Sequence, residues 1–265
     1  MLSSFPILLY HSVSVDPPDW IAHFAVSPAV FCAHLDAVVA SGRQPLTVSQ
    51  LADGLSGNGI LPPRPVLITV DDGLADFADN AMPALTERKL PSTLYVTTGA
   101  LAGRSNESVL PAAAMLRAID LPGVEAAGVE IGAHSHTHRQ LDLLPEREVA
   151  AELSRSGDLL AGTLGHQIRS FAYPHGYWRA QVRQLVAAAG FDSACAVGNA
   201  LCSVKDHRLA LSRLMVRAGT DASTVAAWLN GSGAQTLSPQ HRLLACGWRQ
   251  YRRARHIRQA RVGMM

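Results

Sequence analysis

The sequence predicts an α/β chain built on a parallel sheet, open or closed into a barrel. Three observations carry that reading. Apolar runs of β character alternate with helix-period segments in about seven βα steps. Two polar clusters, Asp71-Asp72-Gly73 and His134-Ser135-His136-Thr137-His138, each follow such a run directly. The 265 residues are 48% hydrophobic and 17% charged, the composition of one large globular domain rather than a disordered chain.

The expected strands, in order, are Ile7–Tyr10, Val66–Val70, Thr93–Val96, Val129–Ala133, Ser170–Tyr173, Ser193–Val197 and Leu214–Val216. Between the first two, Ser27-Pro28 pairs an N-cap with proline at the first helical position, and Gly42 ends that helix. Thr47-Val48-Ser49-Gln50 has the spacing of a capping box before a shorter helix. Further helices are expected over Leu74–Arg88, Glu146–Leu164 and Arg179–Ala189, the last closed by Gly190. Gly99–Glu107 reads as a long surface loop. Gly231-Ser232-Gly233 marks the boundary between a barrel over 1–230 and a basic C-terminal tail over 231–265, expected to be helical.

Charge is unevenly placed. The net +2 includes seven arginines and no acids between His241 and Met265, which leaves −5 on the remainder by subtraction. The body therefore lacks the basic field of a nucleic-acid binder. In the tail, Leu244, Trp248 and Tyr251 fall near one face if helical. Such a segment suits packing on the barrel or a peripheral membrane contact with anionic headgroups. The N-terminal apolar run Pro6–Tyr10 is too short for a signal h-region and lacks a basic n-region. No stretch approaches the roughly 20 apolar residues of a bilayer span. Cys32, Cys195, Cys202 and Cys246 show no C-x-x-C spacing. A cytoplasmic protein with buried reduced thiols, free or at the inner face of the membrane, is the expectation.

Four groups sit at expected strand ends: His11, Asp71-Asp72, His134 with His138, and Tyr173-Pro174-His175-Gly176. In a barrel those ends converge on one face. Two carboxylates beside histidines four residues apart suit a divalent metal with a spare acid/base group. The i,i+4 spacing of His134 and His138 would aim both rings one way on a helical turn. Each group has a plainer reading. An isolated Asp-Asp-Gly is a turn, the histidines could form a polar helix face, and His11 could be an ordinary buried histidine. His136 is expected to face away and make hydrogen bonds, and Arg213 suits a structural ion pair as well as a site role.

Taken together, the clusters resemble the polysaccharide deacetylases of the NodB-homology type, carbohydrate esterase family 4. The family's T-F-D-D-G motif matches Thr69-Val70-Asp71-Asp72-Gly73 with one change, and its H-[ST]-x-x-H motif matches His134–His138 in full. The resemblance spans residues 6 to about 230 and implies a distorted (β/α)7-type barrel. It implies that Asp71 is the general base and that Asp72, His134 and His138 hold one divalent metal, zinc ahead of Co2+, Ni2+ or Mn2+. The implied substrate is an N-acetylated glycan. Tyr173, Pro174, Tyr177 and Trp178 are carried over as candidate substrate contacts.

Two departures stand out. The third motif, R-x-P-Y-G, reads here Ala172-Tyr173-Pro174-His175-Gly176. His175 could still give a backbone N–H to an oxyanion, but the arginine that orients the base is missing, and Arg213 is the candidate replacement. The L-x-H-[DS] motif that supplies the general acid near the C-terminus of relatives stands instead at the N-terminus, as Leu9-Tyr10-His11-Ser12. A circularly rearranged order would bring His11 into the same site, because first and last strands are neighbours in a closed barrel. The competing readings are an amidohydrolase-type barrel using His134-Ser135-His136 as an H-x-H pair, and a catalytically silent glycan-binding member of the same fold, motivated by Ala172. Metal content and acetate release separate them.

Overall fold

The computed structural model describes residues 4–237, 247, 248 and 250–253. Eight strands form one sheet: β1 (Ile7–Tyr10), β2 (Gln44–Leu46), β3 (Pro65–Val70), β4 (Ser92–Val96), β5 (Val129–Ala133), β6 (Ser170–Ala172), β7 (Ser193–Cys195) and β8 (Leu214–Met215). Its order is β7-β6-β5-β4-β3-β1-β8, all parallel, with β2 alongside the start of β3. Helices α1 (Pro28–Ala40), α2 (Val48–Ser56), α3 (Met82–Glu87), α4 (Leu121–Ala126), α5 (Glu146–Leu164), α6 (Ala180–Ala188) and α7 (Ala222–Leu229) fill the connections.

The segment just before β8 closes the sheet on itself. Leu211 bridges Cys195 of β7 in parallel, with Leu211 N–H donating to Ala194 O at 2.9 Å and Ala196 N–H donating to Leu211 O at 2.8 Å. Three residues on, Leu214 pairs with Leu8 of β1. First and last strands are therefore neighbours, and the wall forms the distorted βα barrel that the family resemblance implies.

Side chains alternate across each strand, and two hydrophobic clusters separate accordingly. Ile7, Leu67, Tyr95, Ala172, Cys195 and Leu211 meet inside the barrel, over Val48 and Leu51 of α2. Leu8, Ile68, Leu94, Ile131, Phe171 and Ala194 face outward onto the helices. Strands buried on both faces are why these runs read as continuously apolar.

The helix ends follow the expected chemistry. Ser27 Oγ accepts from Val30 N–H at 3.3 Å with Pro28 opening α1, and Thr47 and Gln50 form the capping box of α2. Helix α5 keeps its expected bounds, closed by Gly165 at φ 79°. The expected Leu74–Arg88 helix is corrected: a π-turn over Phe77–Ala81 precedes α3. Pro83 has no N–H and its ring crowds the preceding turn, so a regular ladder cannot run through it. The Gly99–Glu107 loop also starts inside the protein, where Gly99 N–H donates to His136 O at 2.8 Å. Cys195 and Cys202 are buried free thiols and Cys32 is half-buried, while Cys246 lies outside the described residues. No helix among the described residues is long and apolar enough to cross a membrane.

Candidate metal and acid/base site

Strand parity builds the site. On β3, Leu67 and Thr69 point into the barrel, and the next inward residue is Asp71, just past the strand end. On β5 the inward series runs Glu130, Gly132, His134. Asp71, Asp72 and His134 are each 2% exposed or less, and His138 is 7% exposed.

Asp72, His134 and His138 each offer a ligand atom, all within 4.8 Å of one another. The Asp72 Oδ1 atom lies 3.2 Å from His138 Nε2 and 3.5 Å from His134 Nε2, yet it is buried without a well-formed hydrogen bond. Three lone-pair donors converging with no proton well placed between them suit a cation. His134 Nδ1 lies 2.8 Å from Ala172 O, which assigns the proton to Nδ1 and leaves Nε2 as the lone-pair donor. Burial pushes the His134 imidazole down to about 4, against the pull of Asp71 and Asp72. It is therefore neutral near pH 7, as a ligand must be.

The two histidines do not lie on a helical turn, which corrects the expectation from their spacing. Ser135 and His138 adopt left-handed backbone, φ 63° and 62°, so residues 134–138 form a loop that curls both rings inward. Ser135 Oγ accepts from His138 N–H at 3.0 Å. Glu152 of α5, buried, takes His136 N–H at 3.0 Å and Thr137 N–H at 2.7 Å, and accepts the Thr137 hydroxyl at 2.5 Å. The His136 ring turns away, its Nδ1 2.8 Å from Thr98 Oγ1.

Asp71 has a separate partner. Arg213 is fully buried and donates to both Asp71 oxygens, at 2.7 and 2.8 Å, and also to Ala196 O at 3.0 Å and Thr69 Oγ1 at 3.2 Å. Burial pushes the Asp71 carboxyl up, but Arg213, His134 and His11 outweigh it and hold it below the usual carboxylate range. His11 follows Tyr10, whose carbonyl accepts Asp71 N–H at 3.0 Å. The His11 ring packs on Phe24 with centroids 5.2 Å apart, and its Nδ1 is buried without a partner.

The third loop is arranged differently from expectation. His175 is left-handed, φ 58°, and its ring lies 4.8 Å from that of His138. A cavity of about 530 Å³ opens here, with His138, His175 and Tyr177 on its wall. Tyr173, Pro174 and Trp178 are not on that wall. Tyr173 continues the outward parity of Phe171: it is fully buried, and its hydroxyl donates to Leu209 O at 2.8 Å. Trp178 packs on that same outer core, with rings 6.5 Å apart. Of the four expected substrate contacts, only Tyr177 reaches the cavity. The sequence reading missed Glu152, and the available signal was a carboxylate on the buried face of α5, among Val149, Leu153 and Leu160.

The polysaccharide deacetylase family model matches residues 58–194. The chain belongs to this family. The matched stretch holds Asp71, Asp72, His134, His138 and His175, while His11 and Arg213 lie outside it. YxkH of Bacillus subtilis (strain 168), a polysaccharide deacetylase by name, is 22% identical over 86% of this chain and 76% of its own. Among solved structures, the deacetylase is similar to IcaB from Ammonifex degensii, with 25% identity, a TM-score of 0.74 and coverage of 86% of this chain and 97% of that one. The Streptococcus pyogenes deacetylase PplD, solved with acetate, has 23% identity and a TM-score of 0.74 over 85% and 97%. Both likenesses extend the shared barrel well beyond the segment matched by the family model.

Proposed function

We propose that this chain is a metal-dependent hydrolase that removes N-acetyl groups from an amino-sugar glycan. The observation that carries it is the division of labour between the two aspartates. Asp72 faces His134 and His138 across a gap fit for a cation, and Asp71 is gripped by Arg213 beside it.

Asp72, His134 and His138 would hold one divalent ion, zinc by the nature of the donors, with Co2+, Ni2+ or Mn2+ as substitutes. Such an ion would polarise the acetamide carbonyl and lower the pKa of a bound water toward roughly 7. Asp71 accepts the proton of the attacking water at a carboxylate oxygen, oriented by the two Arg213 bonds. Its depressed pKa makes it a weak base, so orientation is what Arg213 contributes. The His175 N–H donates to the developing oxyanion, a contact worth roughly 3–4 kcal/mol where it has been measured elsewhere. His11 returns a proton to the departing amine nitrogen, which leaves poorly without one. In this reading the L-x-H-[DS] element has moved to the first strand, and the β1–β8 pairing supports it by seating that strand in the barrel wall.

The glycan is an N-acetylated polymer, oligomer or lipid-linked saccharide, and a cytoplasmic location, free or at the inner face of the membrane, is part of the proposal. A panel of N-acetylated glycans assayed for acetate tests the reading. Acetate release that is abolished by chelation and restored by zinc is the expected result. Stoichiometric metal with no release from any member would favour a silent glycan-binding protein.

A further inference from the structure

One arginine of the basic tail is turned away from solvent. The Arg252 side chain is 10% exposed and donates to Asp142 at 2.5 and 3.1 Å and to Gln140 Oε1 at 2.7 Å. Its guanidinium carbon sits 3.6 Å above the centre of the Tyr177 ring. The Asp142 side chain is 1% exposed, so this is a desolvated, bidentate pair backed by a cation–π contact. One helical turn earlier, Trp248 Nε1–H donates to the Tyr177 hydroxyl at 3.1 Å. The described helical residues 247, 248 and 250–253 are thus fastened to two loops that carry site residues, one continuing from His138 and one from His175.

The same segment presents aromatic faces to the cavity. The Trp248 and Tyr251 rings stack 5.3 Å apart at 26°, and both line the cavity with Arg252, His138 and His175. They are 49% and 51% exposed. A helix docked only for stability would bury such rings, and one built for a membrane surface would turn them away from the cleft. Two near-parallel aromatics beside convergent polar groups suit a ligand with one apolar and one polar aspect. A pyranose ring, with C–H faces and a hydroxyl rim, is such a ligand.

We propose that Trp248, Tyr251 and Arg252 complete the glycan cleft. Trp248 and Tyr251 hold a sugar unit adjoining the one that loses its acetyl group, and Arg252 is a positioning residue that pins this wall through Asp142 and Tyr177. The proposal rests on the deacetylase reading and extends it to specificity: the cleft prefers oligomers over single sugars.

The test uses the full chain and two probes, β-1,4- and β-1,6-linked tetramers of N-acetylglucosamine, with p-nitrophenyl acetate as the short reference. In Trp248→Ala/Tyr251→Ala, kcat/KM for the preferred tetramer relative to the aryl acetate should fall about tenfold, chiefly through KM. Trp248→Phe/Tyr251→Phe should recover most of that ratio, since the apolar faces remain. Arg252→Ala should give a similar loss and raise hydrogen exchange in the helix. A double-alanine variant with an unchanged ratio would overturn the proposal. A calorimetric titration of the tetramers into the Asp71→Asn chain separates the two readings. If the wild type releases no acetate but the tetramer binds and Trp248→Ala/Tyr251→Ala weakens it, the wall stands and the deacetylase reading fails. Tetramers that neither bind nor react overturn both.

Discussion

Arg213 heads the fully buried side chains of the described protein in size, and its position is explained by Asp71. Removing one partner of a buried pair leaves an uncompensated charge, a cost of about 3–5 kcal/mol. Arg213→Ala should therefore lower stability by about that much in urea unfolding, and adding Asp71→Asn should restore a large part of it. No recovery in the double variant would show that Arg213 matters through packing alone. The aspartates should also separate in solution. Asp71→Asn should keep its metal while losing about 10²–10⁴ of turnover, whereas Asp72→Asn should lose the metal itself. Metal analysis and acetate release, measured on both, decide between these roles. Asp71, Asp72, His134 and His138 were legible because each cluster directly follows an apolar strand. Arg213 was legible as a residue type near a late strand. Its partner became clear only with the register that closes the barrel, which no local pattern encodes.

At the scale of elements, the histidine loop shows how spacing alone misleads. An i,i+4 pair suits a helix, but Ser135 and His138 are left-handed, and residues 134–138 hang from Glu152 of α5 instead. Glu152→Gln keeps the shape but replaces a charged acceptor with a neutral amide. Supporting contacts of this kind are typically worth 10–100-fold in metal affinity, so zinc binding measured by competition with a chelating dye should weaken by about that range. Unchanged affinity would mean that the loop holds itself. Helix α5 was legible to its ends because acids open it and Gly165 closes it. The Leu74–Arg88 stretch was misread because its apolar period outweighed Pro83. Tyr173 was misassigned for a simpler reason: motif position was followed where strand parity already pointed its ring outward.

At the scale of the whole molecule, burial of a titratable site makes stability depend on pH. The His134 imidazole has a folded pKa of about 4, below the roughly 6.5 of an unfolded histidine. Between those values the unfolded chain binds the extra proton and the native chain does not, so native stability rises with pH across that window. The metal-free protein should accordingly lose thermal stability as pH falls from about 6.5 toward 4, and His134→Asn should flatten that slope. An identical slope in the variant would assign the dependence to other groups. The parallel βα sheet was legible from the alternation of strands and helices, and the barrel from the family resemblance, whereas closure through Leu211 was not, since a single bridge leaves no periodic trace.

Four of the described non-glycine residues with left-handed backbone are Asp72, Ser135, His138 and His175, and all belong to the site loops. Each such residue costs about 1–2 kcal/mol relative to an ordinary conformation, and glycine relieves most of it. Selection can therefore pull these positions in opposite directions. A library sorted for expression or protease resistance should enrich glycine or asparagine at them, while one sorted for acetate release should keep the native residues. Lineages that abandon catalysis but keep the barrel would leave their first trace at these same four codons.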